Sequence, residues 1–144
     1  MTIDHLATAS TRIAATPETV WHALTDPAII SEWMLGARVS SDWQVGSHIT
    51  WSGSYQGEDF TDHGTILNLE PRTLLRTTHF SPMGGRQDIP ENYHTVTWRL
   101  STEDDATILT LEQDNNPTED SAEHSSGNWQ SMLDGLRKTV EGRR

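Results

Sequence analysis

At 144 residues and without a single cysteine, the chain has the length of one domain, 1–144, with no disulfide framework, thiolate metal site or cysteine nucleophile. Ten Lys and Arg against 21 Asp and Glu give a formal net charge of -11. That balance argues against nucleic acid and anionic membrane surfaces as partners, since both are held by clustered basic residues. Residues Met1-Thr2-Ile3-Asp4-His5 carry neither a basic region nor an apolar run, and no stretch approaches the ~18 apolar residues of a membrane span. A soluble, cytoplasmic protein is expected, whose six Trp compensate for an apolar fraction of only 33%.

In chain order, residues 6 to 15 read as a strand with Ala9, Thr11, Ile13 and Ala15 on one face. Thr16-Pro17-Glu18 is a helix start: a hydroxyl cap, a proline at the first helical position and an acid in the first turn. Val20, Trp21 and Leu24 form its apolar stripe. Asp26-Pro27 repeats the signal, so a second short helix follows and buries Ile29, Ile30 and Trp33. From Gly36 the pattern turns to strands. Trp43-Gln44-Val45-Gly46-Ser47 carries a turn glycine, and Ile49, Trp51, Gly53 and Tyr55 alternate with polar residues along a half-buried strand. Residues 56 to 64 are polar and turn-rich. Thr65 to Glu70 and Leu74 to Phe80 are strand-like, although Leu74 and Leu75 leave the second without a defined inward face. Residues 81 to 92, with two prolines and two glycines, form a long loop.

The last two strands pair if both apolar faces stay together. Leu100 then faces Thr107, Trp98 faces Leu109, Val96 faces Leu111 and His94 faces Gln113, around a polar turn at residues 101 to 106. The chain ends in a long helix from Thr118 to Gly142. Trp129, Met132, Leu133, Leu136 and Val140 share one face, and Pro117 and Thr118 punctuate its start. Glu119 and Asp120 complement the positive end of its dipole; Arg137, Lys138, Arg143 and Arg144 complement the other. Upstream, the same face carries only Ser125, Ala122 and Thr118. The polar inward pair His94 and Gln113 and the small residues Ala122 and Ser125 thus fall at one end of the core, where a pocket is expected. Trp51, Trp98 and Trp129 are placed at its wall, with Val96 beside them.

This order gives an α+β fold: a curved antiparallel sheet of about six strands wrapped around a long C-terminal helix, with two short helices after the first strand. The seven His show no two-His helical spacing and no ligand triad, so no metal site is expected. No Gly-x-Ser-x-Gly elbow and no phosphate loop occurs, so neither a catalytic residue nor a cofactor is assigned. His63, in Asp62-His63-Gly64, is read as fixing a turn, and His124 as facing solvent.

The same residues resemble a known group. The element order looks like the START-like, or SRPBCC, helix-grip superfamily. Locally the sequence is similar to the family named after the C-terminal domain of the heat-shock-protein-90 ATPase activator. The carriers are Thr16-Pro17-Glu18 with Val20-Trp21 and Ala23-Leu24-Thr25, Trp33, and Trp43 with Val45-Gly46-Ser47. Asp62-His63-Gly64-Thr65, Leu69-Glu70-Pro71, and Gly127 with Trp129, Leu133 and Leu136 complete the set. The resemblance implies an apolar cavity between sheet and helix that holds a small apolar or amphipathic molecule; a monomer or homodimer is expected. From the residues, ligand contact falls to Trp51, His94, Val96, Trp98, Gln113, Ala122, Ser125 and Trp129. A cyclase- or hydrolase-type pocket enzyme with His94 as base, and a chaperone-interaction module, are the alternatives.

Overall fold

The structure, a computed structural model, describes residues 5–143 and all side chains among them but that of Tyr55. Met1–Asp4, within the stretch read for a leader, and Arg144, read as a cation at the helix end, lie outside the described residues. Strand β1 (His5–Ile13) precedes two short helices, α1 (Pro17–Thr25) and α2 (Pro27–Trp33). Six strands follow: β2 (Arg38–Ser41), β3 (His48–Tyr55), β4 (Glu58–Glu70), β5 (Leu74–His79), β6 (His94–Glu103) and β7 (Ala106–Asn116). Helix α3 (Glu119–Gly142) closes the fold. The strands form one antiparallel sheet of seven, ordered β1-β7-β6-β5-β4-β3-β2. It is curved and open, and α3 lies in its grip, as the sequence implies.

The helix starts are built as their residues dictate. The Thr16 hydroxyl accepts from the Thr19 N–H and the Asp26 carboxylate from the Ala28 N–H, each with proline at the first helical position. Thr118 and Ser121 cap each other reciprocally at the head of α3. Along α3, Leu133, Leu136 and Val140 are buried while His124 faces solvent, which is the wheel the spacing predicts. The core gathers this face with α1, α2 and the inner faces of the strands, and Trp33 anchors it by donating its indole N–H to the Ala23 carbonyl at 2.9 Å. A second stripe of α3 is polar and meets the outer edge of β1. Ser126 accepts from the Thr8 N–H and Glu141 from the Ala14 N–H, so the open edge is satisfied by helix side chains.

Four local expectations change. The β6–β7 register lies two residues from the one inferred: Leu100 pairs with Leu109, Trp98 with Leu111 and Val96 with Gln113. Both strands run on into the segment read as a six-residue turn, because Asp104 takes the left-handed conformation (φ 54°) that a two-residue hairpin needs. A shift of two preserves which side chains face inward, so hydrophobic pattern alone could not separate the registers. His94 therefore does not face Gln113; its Nδ1–H donates to the Asp114 carbonyl at 2.7 Å.

Residues 58–64 are strand, not turn. Gln56 and Gly57, both at positive φ, make the whole connection, and β4 runs for 13 residues. Its polar composition reflects an exposed strand end, where the Ser54 hydroxyl bonds Asp59 across the hairpin. His63 consequently sits mid-strand and does not fix a turn. Strand β1 ends at Ile13, two residues early, because Ala15 turns back to bond the Ile13 carbonyl. Finally, β5 has a defined inward face: Leu75 and Thr77 are buried and His79 follows in phase, while Leu74 points the other way.

Candidate functional site

A cavity of about 370 Å³ lies between α3 and the inner faces of β3 to β6. Its lining includes five of the chain's six tryptophans, Trp33, Trp43, Trp51, Trp98 and Trp129, with Met34, Met83 and Met132. The aromatic wall is a chain of edge-to-face contacts. Trp98 meets Trp33 at 5.9 Å between ring centroids and Trp129 at 5.8 Å. Trp129 is held from behind, where its indole N–H donates to Gln113 Oε1 at 3.1 Å.

Three connections between elements contribute to the lining. Leu35, between α2 and β2, and Trp43, between β2 and β3, both have left-handed backbones (φ 54° and 57°), a conformation that costs bulky residues free energy and is retained where the surroundings enforce it. Leu35 is 76% exposed, and Met83 is 48% exposed. Met83 and Ser81 come from the long connection between β5 and β6, which contains single-turn 3₁₀ helices at Pro82–Gly84 and Pro90–Asn92. That connection is clasped to the outer face of the sheet. His63 Nε2 lies 3.1 Å from Asp88 Oδ2, and the Tyr93 hydroxyl donates to the other Asp88 oxygen. The bond to Asp88, helped by partial burial and the carboxylate charge, pushes the Tyr93 phenol up to about 12. Phe80 is buried beneath, stacked on Tyr93 at 5.1 Å.

Besides Ser54, Thr77 and Ser81, one titratable pair interrupts the apolar wall. Asp62 of β4 lies opposite Trp51 of β3, and His79 of β5 lies opposite His94 of β6, so a row of inward side chains crosses four strands. His79 Nε2 is 3.0 Å from Asp62 Oδ2. A carboxylate only accepts, so this nitrogen carries the proton of the bond. Asp62 Oδ1 and His79 Nδ1 are buried and have no hydrogen-bond partner among the described residues. The His79 ring meets the Trp51 indole edge-on at 5.1 Å and lies 6.4 Å from His94. Among the described residues no three His, Asp or Glu side chains gather as a metal site.

Of the eight residues assigned to ligand contact from the sequence, Trp51, Val96, Trp98 and Trp129 line this cavity. His94, Gln113, Ala122 and Ser125 do not. Three of those four, with Asn116, belong to the end of the core where α3 starts. Asn116 donates to the His5 and Gln113 carbonyls and takes a bond from the Ser125 hydroxyl, and Ala122 is buried beside them. Small residues there let the helix approach β1 and β7. Sequence reasoning passed over Asp62 and His79, the first because 56–64 read as turn, the second because β5 had no face. The phase Leu75, Thr77, His79 was the available signal.

Among solved structures, ChR145 from Cytophaga hutchinsonii is 45% identical to this chain, with 99% of this chain and 98% of that one covered and a TM-score of 0.87. The Aha1 dimer from Colwellia psychrerythraea is 20% identical, covering 97% of each chain with a TM-score of 0.73. DynU16, a protein of the dynemicin biosynthetic locus, is also 20% identical; 96% of this chain matches 48% of that one, with a TM-score of 0.78. At 20% identity these two likenesses speak for the fold alone. No curated protein matches. The sequence pattern described as Activator of Hsp90 ATPase homolog 1-like protein matches residues 14–141, and with nearly the whole chain so matched, the chain belongs to that family within the helix-grip superfamily.

Proposed function

We propose that the protein binds a small apolar or amphipathic molecule in the cavity between the sheet and α3. The observation that carries this reading is the cavity itself: about 370 Å³ walled chiefly by five tryptophans, three methionines and aliphatic side chains, with the titratable pair Asp62 and His79 among its few polar residues. Small-molecule sites have this form, apolar walls with a few convergent polar groups, in volumes of about 300–1,000 Å³. Ligand contact is assigned to Trp51, Val96, Trp98 and Trp129, extended to Trp33, Trp43, Asp62 and His79. His94, Gln113, Ala122 and Ser125 act behind the wall, as the bond from Trp129 to Gln113 illustrates.

A second reading, a cyclase- or hydrolase-type enzyme acting on an aromatic substrate, is favoured by His79, a second titratable group close to His94. Binding stands ahead of it because His94 Nδ1 and His79 Nε2 are committed to hydrogen bonds and His79 Nδ1 is buried. No described helix is long and apolar enough to cross a membrane. The Colwellia relative's dimer makes a homodimer the alternative to a monomer.

The test is fluorescence titration with N-phenyl-1-naphthylamine, a neutral apolar probe, alongside native mass spectrometry for a co-purifying molecule. Saturable uptake that Met132→Trp abolishes without unfolding the protein, and that Ser125→Trp leaves intact, supports the reading. Non-saturable uptake, or uptake indifferent to Met132→Trp, overturns it.

A further inference from the structure

The cavity carries a charge asymmetry that specifies its ligand further than its apolar walls do. None of the described residues lining it is Lys or Arg, while Asp62 brings a carboxylate to the wall. Among the described residues that carboxylate has one partner: Oδ2 faces His79 Nε2, and Oδ1 has none. Oδ1 is buried, but a carboxylate has about four lone-pair sites and the Asp62 side chain is 16% exposed at the cavity, so it retains acceptor capacity beyond the bond to His79. Protonating His79 at Nδ1 brings the pair only to neutrality; in neither state does the wall hold a net positive charge.

These observations select among apolar ligands. An anionic amphiphile, such as a fatty acid or aromatic carboxylate, would bring a second negative charge beside Asp62 in a poorly solvated space, with no cation to offset it. A ligand with a hydroxyl or amino group would supply the donor Asp62 lacks, and hydrogen bonds to a charged group are the strong ones. The tryptophan faces add a preference for flat or electron-poor surfaces and tolerate a cation. Size narrows the class again. A cavity of about 150 Å³ takes one benzene, so 370 Å³ has room for roughly two such rings.

We infer that the cavity takes a flat aromatic or alicyclic molecule of about two rings that bears a hydrogen-bond-donating hydroxyl or amino group, received by Asp62, and that it rejects anions. This rests on the binding reading above and adds the ligand's charge and its polar anchor.

Three probes built on the same naphthalene ring separate the two claims at pH 7: 2-naphthol, 2-methoxynaphthalene and 2-naphthoate, each measured by calorimetry and by displacement of N-phenyl-1-naphthylamine. In the wild-type protein 2-naphthol is expected to bind about ten- to hundredfold tighter than 2-methoxynaphthalene, the worth of one hydrogen bond to a carboxylate. The naphthoate should bind more weakly than either. In Asp62→Asn, which keeps the side-chain shape, the naphthol advantage should shrink and the naphthoate should gain, with 2-methoxynaphthalene nearly unchanged. Equal affinities for naphthol and its methyl ether, or naphthoate binding as tightly as naphthol, overturns this inference while leaving the cavity a binding site. Failure of all three to bind overturns both. The wild-type ratios decide the matter even where the variant folds poorly.

Discussion

Gln130 of the long helix takes the place of a neighbouring strand beside Ser10. Its amide nitrogen donates to the Ser10 carbonyl at 2.9 Å, and its side-chain oxygen accepts from the Ser10 N–H at 3.3 Å. With Ser126 and Glu141 on the same helical stripe, it converts an edge strand into a closed one. Gln130→Ala should cost about 1 kcal/mol, the net worth of ordinary hydrogen bonds whose partners water can reach. It should also promote self-association through the uncovered edge. Urea denaturation and sedimentation at several concentrations check both effects.

The two sides of α3 make a sharper contrast. Trp129 packs on Trp98 and bonds Gln113, whereas His124 faces solvent. Trp129→Ala should lower stability by about 3 kcal/mol, at the low end for a large aromatic because one side meets the cavity. His124→Ala should change it by less than about 0.5 kcal/mol. Comparable unfolding midpoints for the two variants would contradict the helical face described above.

Gly64 is required for a different reason. A Cβ at this position would lie 1.9 Å from the Thr78 carbonyl oxygen and 2.6 Å from its carbon, both backbone atoms of the adjoining strand. Gly64→Ala should therefore destabilise by more than about 3 kcal/mol, beyond ordinary overpacking, since no side chain can swing aside. Gly84→Ala, where nothing lies within 4 Å, is the control and should leave the unfolding midpoint unchanged.

The clasp on the outer face has a pH signature. The Tyr93 phenol is raised from 10.0 to about 12, chiefly by its hydrogen bond to Asp88. A value raised in the folded state means the bond's contribution is fully present below pH 10 and is lost as pH climbs through about 12. Ultraviolet titration of the phenolate should show one tyrosine ionising late. Asp88→Asn should bring that transition down towards 10.0, the ordinary phenol value. An unchanged late transition would remove Asp88 as the cause.

Much of the architecture was legible because it is written in local chemistry. Thr16-Pro17 and Asp26-Pro27 announce two helices wherever they stand, and the face from Trp129 to Val140 has only one period that fits. The site was less so. Trp51, Val96, Trp98 and Trp129 were found by phase, since each lies in a strand or helix with clear alternation. Asp62 and His79 were not, because their strands carry polar or doubled residues that blur a two-residue period. The polar end of the core misled for the opposite reason. His94, Gln113, Ala122 and Ser125 were correctly placed inward or on the helix face, but small size near a helix start records close backbone approach as readily as empty space. The Gln130 stripe was invisible as well: side chains that bond an edge strand look, in sequence, like any solvated helix face.

The covered edge also sets an order of events during synthesis. Strand β1 lies at one end of the strand order, pairs with β7 and is covered by α3, and its last residue, Ile13, pairs with Thr107. On a ribosome adding ~5–20 residues per second, it waits roughly 5–20 s for that partner and longer for Gln130. A strand left unpaired for so long is a hazard if it is sticky. This one reads His5-Leu6-Ala7-Thr8-Ala9-Ser10-Thr11-Arg12-Ile13, with small or polar residues between its two large aliphatics. Its mild composition suits a segment that leaves the ribosome early and docks late.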